Sequence, residues 1–217
     1  SVNFADKKGT YLMLGGQKNI LVNTVNVTGV DIQVNQVFKN NIALMLNQYS
    51  DNYYYDDYGY NPTYYVGNYG RILYSEVINL KNRRNWLEKF TLNLDKIVHS
   101  KNKGIYVVNV SSTEDAWISD SKIIALSDLA IIAKKGKDEL VVFVNSIKEA
   151  TPVKDVTISL LSSNNQILLT GTTNSDGLIR FLSLSEKIKD FNPVIVTAEK
   201  EDDFNFIDLR STLIETS

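Results

Sequence analysis

The 217 residues contain no cysteine. That excludes disulfides, thiolate-bound zinc and thiol nucleophiles from this stretch of chain. Histidine is nearly absent too: His99 is the single one, so no second imidazole can share a metal with it. A serine-based triad would have to recruit His99 itself, and no nucleophile-elbow pattern accompanies it. Gly15-Gly16 lacks the lysine and the following helix of a phosphate loop. A formal net charge of −2 sets up no field to gather nucleic acid or an anionic membrane. No apolar run approaches the length that crosses a bilayer, and no charged-then-apolar leader opens the chain. Ser1-Val2-Asn3-Phe4 and Thr216-Ser217 both read as positions internal to something longer. The expectation from these absences is a non-enzymatic piece with no catalytic residue, metal or cofactor, no nucleic-acid partner and no membrane insertion.

What is present is strand-length alternation. The stretch from Ser127 to Phe181 reads as one small β-module: three apolar strands separated by turn signals, then a hairpin closed by Asn174-Ser175-Asp176-Gly177. Asp-Gly between apolar runs is a strong hairpin signal, because the turn needs a positive φ that glycine adopts without strain. Earlier, Thr10–Leu14 and Lys18–Val27 face each other across Gly15-Gly16 as a second expected hairpin. Val30, Ile32 and Val34 alternate with Asp31, Gln33 and Asn35, the pattern of a half-buried strand. Ile72–Leu80, Trp86–Leu94 and Gly104–Val110 read the same way.

One segment breaks the period of two. Ile42, Met45, Leu46 and Tyr49 follow helical spacing, with Asn40 or Asn41 available as a cap. It reads as a short core helix packed on the first module. The polar run Ser112-Thr113-Glu114-Asp115 is the expected boundary. The fold class is therefore all-β: two tandem immunoglobulin-like antiparallel sandwiches, at 1–115 and 116–217, with one short helix in the first.

Tyr49–Tyr69 holds nine of the twelve tyrosines among Asp, Asn and Gly. It is too polar and too broken for a packed strand pair, so 49–70 reads as an insert on the first sandwich. Tyrosine offers a large rigid contact area with a polar tip, which makes Tyr53, Tyr54, Tyr55, Tyr58, Tyr60, Tyr64 and Tyr65 the candidate interaction residues. The bland reading is an insertion that folds on its own module. Asp51, Asp56 and Asp57 do not follow the order of a calcium loop. Glu201-Asp202-Asp203 and Lys81-Asn82-Arg83-Arg84 read as solvated turns. Asn26-Val27-Thr28 and Asn109-Val110-Ser111 fit the glycosylation triplet but fall on or beside strands.

Four elements together resemble the bacterial alpha-2-macroglobulin family. Gly104–Val110 resembles the last strand of one macroglobulin domain, and Ser127–Lys134 the opening strand of the next. Leu140–Ser146 with Thr151-Pro152-Val153 is similar to the family's strand, turn and small-Pro-Val step. Gly171-Thr172-Thr173 through Asp176-Gly177 and Phe181 resembles its hairpin. Upstream, the resemblance rests on Phe4-Ala5-Asp6, Gly9-Thr10-Tyr11 and the strand order.

The resemblance implies tandem macroglobulin-like domains that serve as scaffold in a protease trap, upstream of its bait and thioester regions. It also implies the other domains of the same polypeptide as partners, with proteases engaged through the full-length protein. The expected location is extracytoplasmic, periplasmic or outer-surface, with any lipid anchor outside this segment. The alternative from a different class is a surface adhesin or stalk that binds a host protein or glycan through the tyrosine-rich loop.

Overall fold

The computed structural model describes residues 1–5, 11–12, 18–51, 69–81, 84–98, 103–189 and 191–212. The chain divides into two compact units: 1–38 with 48–126, and 39–47 with 127–217. Each is a pair of packed sheets, as the alternation predicts.

In the first unit, β1 (Val2–Phe4), β3 (Asn19–Val25) and β6 (Leu87–Asn93) form one sheet in the order β1-β3-β6. The second sheet runs β2-β8-β7-β4-β5, from β2 (Tyr11–Leu12), β8 (Ser119–Leu126), β7 (Gly104–Ser112), β4 (Gly29–Val37) and β5 (Gly70–Asn79). The period-two pattern of β4 decides its faces: Val30, Ile32 and Val34 are fully buried. They meet Val22, Leu92, Tyr106, Val108 and Val110 in one core. Each such aliphatic side chain contributes about 1.5–3 kcal/mol when removed from water. Tyr106 sits 1% exposed in this core, and burial pushes its phenol up to about 12, with Arg71 pulling weakly the other way.

The second unit packs β9 (Leu129–Lys135), β10 (Glu139–Ser146) and β13 (Leu178–Leu182) against β11 (Thr157–Leu161), β12 (Ile167–Thr172), β14 (Ile195–Lys200) and β15 (Asp203–Asp208). The sheet orders are β13-β10-β9 and β12-β11-β14-β15. Leu140, Val142 and Val144 point inward against Ile158, Leu160, Val196 and Ala198.

Two expectations are corrected. The first is the Gly15-Gly16 hairpin, whose turn lies outside the described residues. β2 pairs parallel with β8, Tyr11 opposite Ile124, because both edges of β3 are already taken by β1 and β6. The second concerns Asn174–Gly177, which is a turn as expected but not a hairpin. Its flanking strands lie in different sheets: β12 pairs with β11, and β13 with β10. β8 pairs along β7 from Ser111↔Ser119 to Gly104↔Leu126, so Ser112–Asp115 lead into the connection between two paired strands of one sheet. The division falls between Leu126 and Ser127.

The expected helix is present at Ile42–Asp51, between β4 and β5. Ile42, Met45 and Leu46 of its stripe are buried. Its first half groups with the second unit. There Asn165 donates from Nδ2 to the carbonyl of Asn40 at 2.7 Å, and Arg210 donates to Asn47 Oδ1 at 2.9 Å. Lys39 also pairs with Glu199. Hydrophobic spacing marks such a segment as buried, but it does not say which unit supplies the partners. Two further short helices, Leu184–Ile188 and Leu209–Thr212, were not expected from the sequence.

Candidate functional site

The seven candidate residues Tyr53, Tyr54, Tyr55, Tyr58, Tyr60, Tyr64 and Tyr65 lie outside the described residues, as do Asp56, Asp57 and His99. What is described is the point where the chain returns from the insert. Tyr69 is buried, and its carbonyl accepts from the Phe38 amide at 3.0 Å. Gly70 follows because only glycine fits: a Cβ there would stand 1.9 Å from the Gln36 carbonyl oxygen. The return strand is thus closed tightly against β4.

The most organised polar cluster among the described residues opens the second unit. Ser127 Oγ donates to Asp203 Oδ1 at 2.6 Å, and the Asp128 amide donates to Asp203 Oδ2 at 3.0 Å. Ser127 Oγ also accepts from the Leu129 amide at 3.0 Å. Asp128 in turn accepts from Ser146 Oγ and from the Lys148 amide, both at 2.9 Å. Burial pushes the Asp128 carboxyl upward. The Lys148 amide, the Ser146 hydroxyl, the Lys148 charge and the Ile147 amide together outweigh it, and the net shift is below the ordinary carboxylate value. A carboxylate held ionised by amide and hydroxyl donors is a poor general acid. With the serine hydroxyl already engaged on both sides, the cluster ties strands together and offers no reacting atom.

In the first unit the counterpart is Lys18, 7% exposed. Its Nζ lies 3.1 Å from Asp95 Oδ1, while its amide donates to Asp95 Oδ2 at 3.1 Å. The hydrogen bonds from the Lys18 amide and ammonium hold the Asp95 carboxyl below its usual range. Lys122 stands 5.5 Å over the Phe4 ring, and the Phe4 amide donates to Asp120 Oδ2 at 2.8 Å. These contacts fix the short strand β1 in place.

Other singled-out groups resolve as structure. Asn109 is 2% exposed, so the Asn109-Val110-Ser111 triplet cannot present its amide. Asn26 sits exposed in the β3–β4 turn at φ 56°, hydrogen-bonded to Asn85. Glu201 and Asp202 form the β14–β15 turn, whereas Asp203 is 4% exposed and structural. A groove of about 380 Å³ lies between Gln166–Leu168 on one side and Lys187, Ile188, Lys189 and Phe191 on the other. The titratable groups among its described lining residues are two lysines, Lys187 and Lys189. Among the described residues no three His, Asp or Glu side chains converge as a metal site, and no helix is long and apolar enough to cross a membrane.

Two family models match successive parts of the chain. Residues 3–115 match the family model described as bacterial alpha-2 macroglobulin MG2 domain, and residues 126–217 that described as bacterial alpha-2-macroglobulin MG3 domain. An alpha-2-macroglobulin homolog of Yersinia pestis is 26% identical over 94% of this chain and 11% of its own length. The alpha-2-macroglobulin of Pasteurella multocida is 25% identical over 92% of this chain and 12% of its own. The chain therefore spans about a tenth of these relatives. In fold, it superposes on native Escherichia coli alpha-2-macroglobulin spanning domains NIE-MG1 with a TM-score of 0.71 at 20% identity, covering 97% of each. The methylamine-reacted Salmonella alpha-2-macroglobulin gives 0.68 at 22% identity, over all of this chain and 12% of that one.

Proposed function

The chain belongs to the bacterial alpha-2-macroglobulin family, and from that premise we propose that it is a scaffold segment of a protease trap. In this reading its two sandwiches hold and orient the other domains of one long polypeptide, upstream of the segments that are cut and that capture the protease. The trap engages proteases only as a whole. This stretch has no cysteine, so a cysteine-derived thioester would have to come from elsewhere in the polypeptide. The segment itself is not an enzyme. Its location is extracytoplasmic, with any lipid anchor supplied outside these residues. Tyr53, Tyr54, Tyr55, Tyr58, Tyr60, Tyr64 and Tyr65 act as a contact loop towards a neighbouring domain.

One observation carries this reading. The two successive family domains account for nearly the whole chain, while the polar side chains of the second unit's best-organised cluster are consumed in tying strands together. A segment built this way supplies rigidity and surfaces, and its function lies in what it positions.

The test is protease inhibition by the full-length polypeptide and by the isolated 217 residues, titrated against a broad-specificity endopeptidase acting on a large protein substrate. The expected result is inhibition by the former and none by the latter. Stoichiometric inhibition by the isolated segment, or none by the full polypeptide, overturns the reading.

A further inference from the structure

The sheet of β9, β10 and β13 has an outward face that its own unit does not cover. Its orientation follows from β10, where Leu140, Val142 and Val144 enter the core. Val141, Phe143 and Asn145 must then point away from it. Phe143 is paired with Ile132 on β9 and with Leu178 on β13, so the three side chains stand in one row across the whole sheet. Ile132 is 58% exposed and Phe143 37%.

The next row places Val141 between Lys134 and Arg180. Val141 is only 7% exposed although it stands outside the core cluster.

The outward face of an antiparallel sheet is ordinarily polar, and single exposed hydrophobics are ordinary on any surface. A continuous apolar row spanning three strands, with a basic margin along one side, is the pattern of a contact surface.

We propose that this face docks an adjoining domain of the same long polypeptide, one that presents an apolar patch with a carboxylate at its edge towards Lys134. The proposal rests on the reading of the chain as a segment of a larger trap. Two observations select this occupant. The relatives are about nine times longer than the matched segment, so most of their mass is available to cover it. The margin is basic, which asks for an acidic partner. On the same sheet Arg180 already has Glu139 at 3.7 Å, so the demand for an acidic partner rests on Lys134.

The absence of native cysteine from this stretch makes thiol labelling a direct test. Ile132→Cys is placed in the isolated chain and in the full polypeptide, and maleimide labelling is followed at that residue by peptide mass. Thr170→Cys, exposed on the other sheet, serves as reference.

Docking predicts labelling at 132 at least about tenfold slower in the full polypeptide than in the isolated chain, independent of protein concentration. Thr170→Cys should keep its rate. Ile132→Cys removes part of the apolar row, so Lys134→Cys, at the margin, is run in parallel and should be slowed likewise. Equal rates at 132 and 134 in the two forms overturn the proposal. So does slowing that reaches Thr170 equally, and so does protection that grows with concentration in the isolated chain, which would assign the face to a second copy. Labelling does not depend on inhibition. A polypeptide that inhibits proteases but labels freely refutes only the docking, and one that is protected but does not inhibit refutes only the trap.

Discussion

Asp203 and Ser127 are 76 residues apart in sequence and joined by a 2.6 Å hydrogen bond inside the second unit. Asp203 is 4% exposed and Ser127 fully buried, and the second carboxylate oxygen takes the Asp128 amide. Removing the carboxylate would strand the buried Ser127 hydroxyl and take the acceptor from the half-buried Asp128 amide. Asp203→Ala should therefore cost the second unit about 2–3 kcal/mol, the range for hydrogen bonds to a buried charged group. Asp203→Asn keeps one accepting oxygen and should cost roughly half as much. Urea denaturation followed by far-UV circular dichroism reads both, and a loss confined to a few tenths would show that the tie is dispensable.

Acid should weaken the same region. Burial alone would raise the Asp128 carboxyl, but the Lys148 amide, the Ser146 hydroxyl and the Lys148 charge bring it below the ordinary value of 3.8. A group whose folded pKa is depressed stabilises the fold above its unfolded pKa and loses that contribution as pH falls through the folded one. The contribution is complete at neutral pH and fades from about pH 4 downward. Asp128→Asn should flatten the acid limb of stability measured by urea midpoints between about pH 6 and 2. An unchanged limb in the variant would assign the acid response to other carboxylates, of which Asp95 and Asp138 are shifted the same way.

Much of the architecture was legible because alternation has a single physical meaning. Val30, Ile32 and Val34 can all be apolar only if one face of β4 is dry, and they are fully buried. What alternation does not encode is the neighbour. Asn174–Gly177 turns as its residues require, yet β12 and β13 separate into different sheets, because a turn fixes local φ and ψ while sheet choice depends on edges left open elsewhere. The reading of Asp203 as part of a solvated turn failed for a related reason. Glu201 and Asp202 are the turn, and the next residue faces Ser127, which no local pattern reveals. The row of Ile132, Phe143 and Leu178 was hidden because it exists only once the register of three strands is known.

The tyrosine-rich insert yields a prediction of contact. Tyr53, Tyr54, Tyr55 and Tyr58 changed together to Ser should weaken the association of this segment with the rest of the polypeptide while leaving its denaturation midpoint within about 0.5 kcal/mol. Binding of the segment to a fragment carrying the remaining domains, followed by calorimetry, checks it. Unaltered affinity would return the loop to a variable insertion with no partner.

Gly177 and Gly171 separate two kinds of glycine requirement within one stretch. Gly177 has φ +67°, and a Cβ there would lie 2.4 Å from the Val144 carbonyl oxygen, the backbone beside which the turn must pass for β13 to join β10. Neither the dihedral nor the clash can relax without moving a strand, so Gly177→Ala should cost about 2–4 kcal/mol. At Gly171 the Cβ would meet Ile179 Cδ1, also at 2.4 Å, but that is the far end of a flexible side chain. Its φ lies outside the left-handed range, and Ile179 can change rotamer. Gly171→Ala should cost less than about 1.5 kcal/mol. Thermal or urea denaturation of the two single variants decides the order, and equal losses would mean that the close approach to Val144 does not hold the turn in place.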